Sequence, residues 1–171
     1  YAHCDTLVIG AGPAGLAAAL SASARGERVV LCDEQAEMGG SLLAEMLTSD
    51  WLNQAVASLE QRSEVTLLPR TTAFGWYPDN MIGLVERITD HIAEPDPRLP
   101  RERLWQVRAK EVVLATGAHE RPLVFADNDR PGILLAESVR AFLNRYGVAP
   151  GRRIVFATSG ASAYAAALDA K

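Results

Sequence analysis

Apolar residues occur along this chain in two recurring patterns. Short continuous apolar runs predict buried strands, whereas apolar residues three or four positions apart predict helices that bury one face. Near the amino terminus, an apolar run at 7–9 precedes a glycine-rich turn, an alanine-rich stretch at 13–23 and a second apolar run at 29–32. We therefore predict a strand–turn–helix–strand unit of about thirty residues, the unit that holds an ADP moiety.

The later patterns extend this unit into a larger α/β arrangement. The turn Pro78-Asp79-Asn80 predicts an antiparallel pair of strands on either side of it. The predicted helices are 13–23, 50–61 and 135–146, and the predicted strands are 7–9, 29–32, 65–68, 72–77, 81–89, 104–108, 111–116 and 154–158.

These elements predict an α/β fold with two parts. The first is a Rossmann-like three-layer dinucleotide-binding domain over residues 1–120, with an antiparallel β insertion at about 72–108. Residues 121–171 are predicted to form a proline-containing connector and the start of a second, truncated Rossmann-like domain. Tyr1 lies just before a central strand and Lys171 ends a helical pattern without a capping signal, so we expect a longer polypeptide.

The turn after the first strand is Gly10-Ala11-Gly12-Pro13-Ala14-Gly15. Gly10 lets the chain turn sharply out of the strand, Gly12 has no Cβ to keep a pyrophosphate away, and Gly15 lets the helix lie close to the sheet. Pro13 suits a first helical position. The free N–H groups of that first turn, together with the helix dipole, favour phosphate binding there.

Further cofactor residues are predicted at the ends of neighbouring strands. Asp33 ends the second strand, where its carboxylate can accept both ribose hydroxyls, and Asp33 with Glu34 should repel a 2′-phosphate. Because the carboxyl ends of parallel strands share one edge of a sheet, we expect the other strand-end motifs to surround the same dinucleotide. The candidate cofactor-binding residues are Gly10, Gly12, Pro13, Ala14, Gly15, Asp33, Glu34, Gln35, Gly39, Gly40, Ser41, Thr72, Ala73, Ala115, Thr116 and Gly117.

Composition narrows the possible partners. The chain has 17 Lys+Arg against 21 Asp+Glu, and the resulting net charge of −4 gives no electrostatic reason to expect nucleic acid. No apolar run approaches the length of a membrane span and no signal-peptide pattern occurs, so we expect no membrane partner and a cytoplasmic location. Cys4 and Cys32 are most simply interpreted as reduced core thiols.

Together, the GxGxxG turn, the strand-end acid, the GG pair and the ATG stretch resemble the two-dinucleotide-binding-domain flavoprotein superfamily. Its disulfide reductases carry a CxxxxC shortly after the GG pair or a CxxC in the second domain, but this chain has no cysteine beyond Cys32. Dithiol chemistry is therefore excluded for this segment. His3, His91 and His119 show no partner pattern or metal-ligand spacing, so we assign no catalytic residue and no metal site.

Three stretches resemble one family within this superfamily, the alpha subunits of heterotetrameric sarcosine oxidase. They are residues 112–132 (VVLATGAHERPLVFADNDRPG), 70–75 (RTTAFG) and 142–148 (FLNRYGV). The resemblance extends over residues 5–164. Its HERP and NDRPG motifs are specific, because the general fold does not demand them.

The resemblance implies an oxidoreductase that acts on the CH–NH group of a secondary amine. It implies oxidative demethylation of sarcosine to glycine, with oxygen as acceptor and with hydrogen peroxide and methylene-tetrahydrofolate as products. It also implies NAD at the first glycine turn, with FAD as the alternative there. A further FAD would lie in the beta subunit, and a covalent FMN between the alpha and beta subunits. The implied partners are the beta, gamma and delta subunits, and sarcosine and tetrahydrofolate would bind outside this segment, which would be inactive by itself.

Two other functions stay open from the sequence. The chain could be the FAD-binding domain of an amine or opine dehydrogenase subunit, or a non-catalytic assembly module stabilised by a nucleotide. The second turn keeps only Gly160, and the Cβ atoms of Ser159, Ala161 and Ser162 would point to where a pyrophosphate binds. We therefore expect one dinucleotide in each alpha subunit, at the first turn.

Overall fold

The computed structural model describes residues 1–45, 50–161 and 163–171. The chain divides into two compact units. The first comprises Tyr1–Gly40 with Ser49–Gly117, and the second comprises Ser41–Thr48 with Ala118–Lys171.

A six-stranded mixed sheet forms the centre of the first unit. Its strands are β1 (Ala2–Ile9), β2 (Val29–Cys32), β3 (Val65–Leu68), β4 (Thr71–Tyr77), β5 (Met81–Arg87) and β6 (Glu102–Leu114), in the order β3-β2-β1-β6-β5-β4. The pairs β3–β2, β2–β1 and β1–β6 are parallel, whereas β4, β5 and the first half of β6 form an antiparallel meander. The predicted α/β class, with an antiparallel part, is confirmed.

Strand β6 corrects the sequence prediction of two separate strands at 104–108 and 111–116. The structure has one strand, and it changes partner along its length: Glu102 to Arg108 pair antiparallel with β5, and Val107 to Leu114 pair parallel with β1. No glycine or proline separates the two halves, so nothing in the chain interrupts the extended backbone. The antiparallel insertion therefore continues the same sheet.

Two helices belong to the first unit, α1 (Pro13–Ala24) and α2 (Asp50–Glu60). Helix α1 packs on β1, β2 and α2 and buries Leu16 and Ala19 completely. Helix α2 buries Leu52, Ala55 and Leu59, which lie three or four residues apart as its apolar pattern predicts. These contacts pack α1 between α2 and the β1–β2 part of the sheet.

Both cysteines are free and buried. Burial, together with the negative charge of Asp5, raises the pKa of the Cys4 thiol to about 11. Burial, together with the negative charge of Asp33, raises the pKa of the Cys32 thiol to about 12. Because a reactive cysteine needs its thiolate, these two residues are small core side chains at physiological pH.

The second unit contains α3 (Ala136–Arg140), a π-helical turn (Ala141–Arg145) and α4 (Ala163–Asp169). The predicted continuous helix 135–146 therefore widens after its first turn, where the Tyr146 N–H donates to the Ala141 carbonyl at 3.2 Å. The predicted strand 154–158 is wrong, since this segment has no strand pairing. An apolar run becomes a strand only beside another strand, and the described part of this unit contains none.

Side-chain hydrogen bonds hold the second unit together, and two of them involve residues of the family-like stretches. Glu120, from the HERP motif, accepts a hydrogen bond from the Glu137 N–H at 2.9 Å at the start of α3. Asn144 donates to the Asp169 carboxylate at 2.9 Å, and Arg140 donates to the same oxygen at 2.8 Å. Glu120 and Asn144, which lie in the stretches that resemble the family, therefore have structural partners within their own unit.

Among the described residues, none of the helices has both the length and the apolar character needed to cross a bilayer.

Candidate nucleotide-binding site

The chain turns at Gly10, directly after β1, in a conformation that requires glycine. Gly10 has a φ of +99°, and a Cβ at this position would overlap the backbone carbonyl of Ala115. Its N–H donates to the Cys32 carbonyl at 2.8 Å, and the Ala115 N–H donates to the Ile9 carbonyl at 2.8 Å. The ends of β1, β2 and β6 therefore meet at this turn.

Helix α1 starts immediately after the turn. Gly12 is its extended N-cap residue, Pro13 occupies the first helical turn, and the Leu16 N–H donates to the Gly12 carbonyl at 2.9 Å. The first N–H groups of a helix have no acceptor within the helix, and the helix dipole adds partial positive charge there. A Cβ at Gly12 would meet only the Cα of Gly40, at 3.9 Å. The turn thus offers donors and open space to a pyrophosphate.

The glycine pair after β2 packs against this turn. The Gly39 N–H donates to the Ala11 carbonyl at 2.8 Å. Gly40 has a φ of +54°, and a Cβ there would lie 2.8 Å from the Cα of Gly12. The predicted proximity of the two glycine motifs therefore occurs within the first unit, whereas the adjacent Ser41 belongs to the second.

Asp33 follows β2 and binds the glycine turn directly. Its Oδ2 accepts a hydrogen bond from the Ala11 N–H at 2.6 Å, and its Oδ1 accepts one from the Gln35 N–H at 2.8 Å. The sequence pattern predicted only that this carboxylate accepts hydrogen bonds from a ribose, and did not predict its bonds to the backbone. A carboxylate has about four lone-pair sites, so each oxygen keeps the capacity to accept a further hydroxyl.

Backbone hydrogen bonds place β4 beside the Asp33 loop. The Thr71 N–H donates to the Asp33 carbonyl at 2.7 Å, and the Arg70 N–H donates to the Gln35 carbonyl at 2.8 Å. Thr72 is exposed at the start of β4, whereas Ala73 packs on the core. These bonds therefore place Thr72 beside the loop that follows Asp33, although β4 lies at the far end of the sheet order from β2.

A concavity of about 410 Å³ opens next to Glu34, Gln35 and Thr72. Three more residues line it, and none of them was predicted from the sequence: Val85, Arg87 and Glu102. The Arg87 Nη2 donates to the Glu34 carbonyl at 2.7 Å. The only sequence signal for these residues is their position in the meander, because register decides which of its side chains face the loop.

The first unit thus brings together most of the predicted cofactor residues. The glycine turn, Asp33, the Gly39-Gly40 pair and the end of β6 at Ala115 form one hydrogen-bonded cluster. Thr116 and Gly117 continue from Ala115, and both are exposed. The N-terminal donors and the Asp33 carboxylate fit an ADP moiety, which NAD and FAD share.

The second predicted turn has a different local geometry. The Thr158 hydroxyl donates to the Gly160 carbonyl at 2.8 Å and accepts from the Gly160 N–H at 3.1 Å. This pair of bonds occupies a backbone donor that a pyrophosphate would need. Ser162, which the sequence pattern places beside this turn, lies outside the described residues. The absence of a second dinucleotide stays a prediction.

Residues 5–117 match the family of FAD dependent oxidoreductases. The chain is 51% identical over 175 residues to the sarcosine oxidase alpha chain of Rhizobium meliloti (strain 1021), covering 99% of this chain. It is also 51% identical to the sarcosine oxidase alpha chain of Corynebacterium sp. (strain P-1), again over 99% of this chain. The chain spans 18% of the length of each of these relatives.

The chain is more distantly similar to an opine oxidase subunit and to a proline dehydrogenase. An opine oxidase subunit from Agrobacterium tumefaciens (strain Ach5) is 31% identical over 94% of this chain and 33% of its own length. The crystal structure of L-proline dehydrogenase from P. horikoshii superposes with a TM-score of 0.66 at 27% identity. That superposition covers 88% of this chain and 30% of the dehydrogenase.

Proposed function

This chain belongs to the FAD dependent oxidoreductase family, and from that premise we propose that it is the dinucleotide-binding part of a sarcosine oxidase alpha subunit. The observation that supports this choice is the 51% identity over 99% of the chain to two sarcosine oxidase alpha subunits. The opine oxidase subunit matches at 31%, so an opine substrate is the weaker candidate.

The reaction proposed for the whole enzyme acts on the N-methyl group of sarcosine. Oxidation removes two electrons and two protons from the CH–NH unit and leaves a carbon–nitrogen double bond. Oxygen takes up the electrons and protons and becomes hydrogen peroxide. Tetrahydrofolate then takes the one-carbon unit as methylene-tetrahydrofolate, which releases glycine.

Within this reaction the chain binds a cofactor and does not supply a reacting group. The donors at the start of α1 hold the pyrophosphate, and Asp33 holds the adenosine ribose. Family membership supports a flavin, whereas NAD at this turn is what the resemblance of the HERP and NDRPG stretches to sarcosine oxidase alpha subunits implies. Because both dinucleotides carry the same ADP half, the residues around Gly10 and Asp33 fit either one.

The proposed assembly is a heterotetramer. The relatives are named as alpha subunits, and this chain spans only 18% of their length. We assign the beta, gamma and delta subunits as partners, with one FAD in the beta subunit, plus a covalent FMN between alpha and beta. Sarcosine and tetrahydrofolate bind outside this segment in the proposed enzyme.

Oxygen consumption tests this function. The full-length protein, assembled with its partner subunits, is expected to consume oxygen and form hydrogen peroxide with sarcosine, and to turn over opines much more slowly. The 171-residue segment with added FAD or FMN is expected to form none, since no catalytic residue is assigned to it. Peroxide formation by the isolated segment, or faster turnover of an opine, would contradict the proposal.

A further inference from the structure

A concavity opens beside Glu34 and Gln35, next to the proposed acceptor of the ribose, Asp33. The glycine turn at Gly10 receives the phosphates, and Asp33 receives the ribose in the proposed function. The base is attached to the far side of that ribose, so it continues away from the glycine turn. Glu34 and Gln35 follow Asp33 directly, and both line the concavity of about 410 Å³.

Strand register places the wall of this concavity on one face of the meander. Thr72 pairs with Val85, and Arg87 pairs with Glu102. Directly opposite residues of an antiparallel pair point to the same side, and so do residues two apart on one strand. Val85 and Arg87 therefore share the face that carries Thr72 and Glu102.

The chemistry of this wall suits a flat aromatic base. Val85 is half-buried and gives an apolar surface. Arg87 carries a planar guanidinium, which stacks on aromatic rings in a way that a lysine ammonium cannot. Its hydrogen bond to the Glu34 carbonyl, at 2.7 Å, holds the guanidinium beside the loop that follows Asp33. Carboxylates at Glu34 and Glu102 can accept from an exocyclic amine.

We propose that Arg87 determines base selectivity by stacking its guanidinium on the adenine ring of the dinucleotide. This inference rests on the proposed dinucleotide site, because it assumes phosphates at Gly10 and ribose at Asp33. The guanidinium forms one side of the adenine pocket, and Val85 with Thr72 forms its floor. Adenine has a larger ring system than uracil and gains more from this stacking.

Binding of ADP and of UDP to the nucleotide-free, full-length protein tests the inference. Arg87→Ala is expected to weaken ADP binding about tenfold and UDP binding less than about twofold, measured as Kd by calorimetry. Arg87→Lys keeps the charge and can still donate to the Glu34 carbonyl, but it lacks the plane. The ratio of ADP affinity to UDP affinity should therefore be lower in Arg87→Lys than in the wild-type protein.

Two control variants separate the possible outcomes. Arg108→Ala removes an exposed arginine from the opposite end of the β5–β6 pairing from Arg87. This variant should leave the affinities for ADP and for UDP unchanged. If Arg87→Ala weakens both nucleotides equally and Arg87→Lys restores both, Arg87 only supports the loop and the inference is wrong. Failure of ADP to bind the wild type, or unaltered ADP binding to Asp33→Ala, would overturn the dinucleotide site and the inference with it.

Discussion

Substitution of Gly10 by alanine is expected to lower the free energy of unfolding by about 3–5 kcal/mol and to remove the bound nucleotide. Two effects add at this position. An alanine at a φ of +99° is strained, and its Cβ would overlap the carbonyl of Ala115, a residue whose N–H donates to the Ile9 carbonyl at 2.8 Å. The backbone must therefore shift at the proposed phosphate-binding turn. Urea denaturation and nucleotide content measure the two consequences.

Gly26→Ala is the matched control. Gly26 also has a positive φ, +77°, but a Cβ there would meet nothing within 4 Å. The Gly26→Ala substitution should lower the free energy of unfolding only by the backbone strain, about 1–2 kcal/mol, and should leave the nucleotide content unchanged. If Gly10→Ala destabilises the protein no more than Gly26→Ala does, the close approach of Gly10 to β6 has no energetic consequence and this account of the turn is wrong.

Substitution of Asp33 by alanine is expected to release the nucleotide and to destabilise the turn itself. The carboxylate accepts hydrogen bonds from the Ala11 and Gln35 N–H groups, and a hydrogen bond to a charged group contributes about 1.5–3 kcal/mol. The same oxygens are the proposed acceptors of the ribose hydroxyls. Removing them should therefore reduce both the free energy of unfolding and the amount of nucleotide that copurifies.

Asp96→Ala provides the comparison for Asp33. The Asp96 Oδ1 accepts a hydrogen bond from the Arg98 N–H at 3.0 Å. Asp33 accepts one in the same way from the N–H two residues ahead, that of Gln35. Asp96 is not among the candidate cofactor residues, and its loss should leave nucleotide content unchanged. A full complement of nucleotide in Asp33→Ala would contradict the assignment of the ribose to this carboxylate.

The sequence predicted those elements whose boundaries are set by local chemistry. The apolar runs at 29–32 and 65–68 have the same bounds as β2 and β3. The glycine turn was predictable because a positive φ and a close backbone approach both demand glycine, and Gly10 shows both. The acid at Asp33 was predictable from its distance to that turn.

Features that depend on partners far along the chain were not predictable. Strand β6 changes from β5 to β1 near Val107 and Arg108, and no local residue marks that change. The apolar run at 154–158 has strand composition, yet it forms no ladder because it lacks a neighbouring strand in the described part of its unit. Arg87 reaches Glu34 only through the register of the meander. In each case tertiary pairing, rather than local sequence, decides the outcome.

The identity and amount of nucleotide in the full-length subunit test the central claim most directly. The subunit should be purified free of its partners and denatured, and the released nucleotide identified by mass spectrometry and quantified against protein. One dinucleotide per chain is expected, because the turn at Gly10 is proposed to bind one ADP moiety and the segment around Gly160 none, and the resemblance to sarcosine oxidase alpha subunits favours NAD as that dinucleotide. Release of FAD in place of NAD, or of no nucleotide, would contradict this expectation.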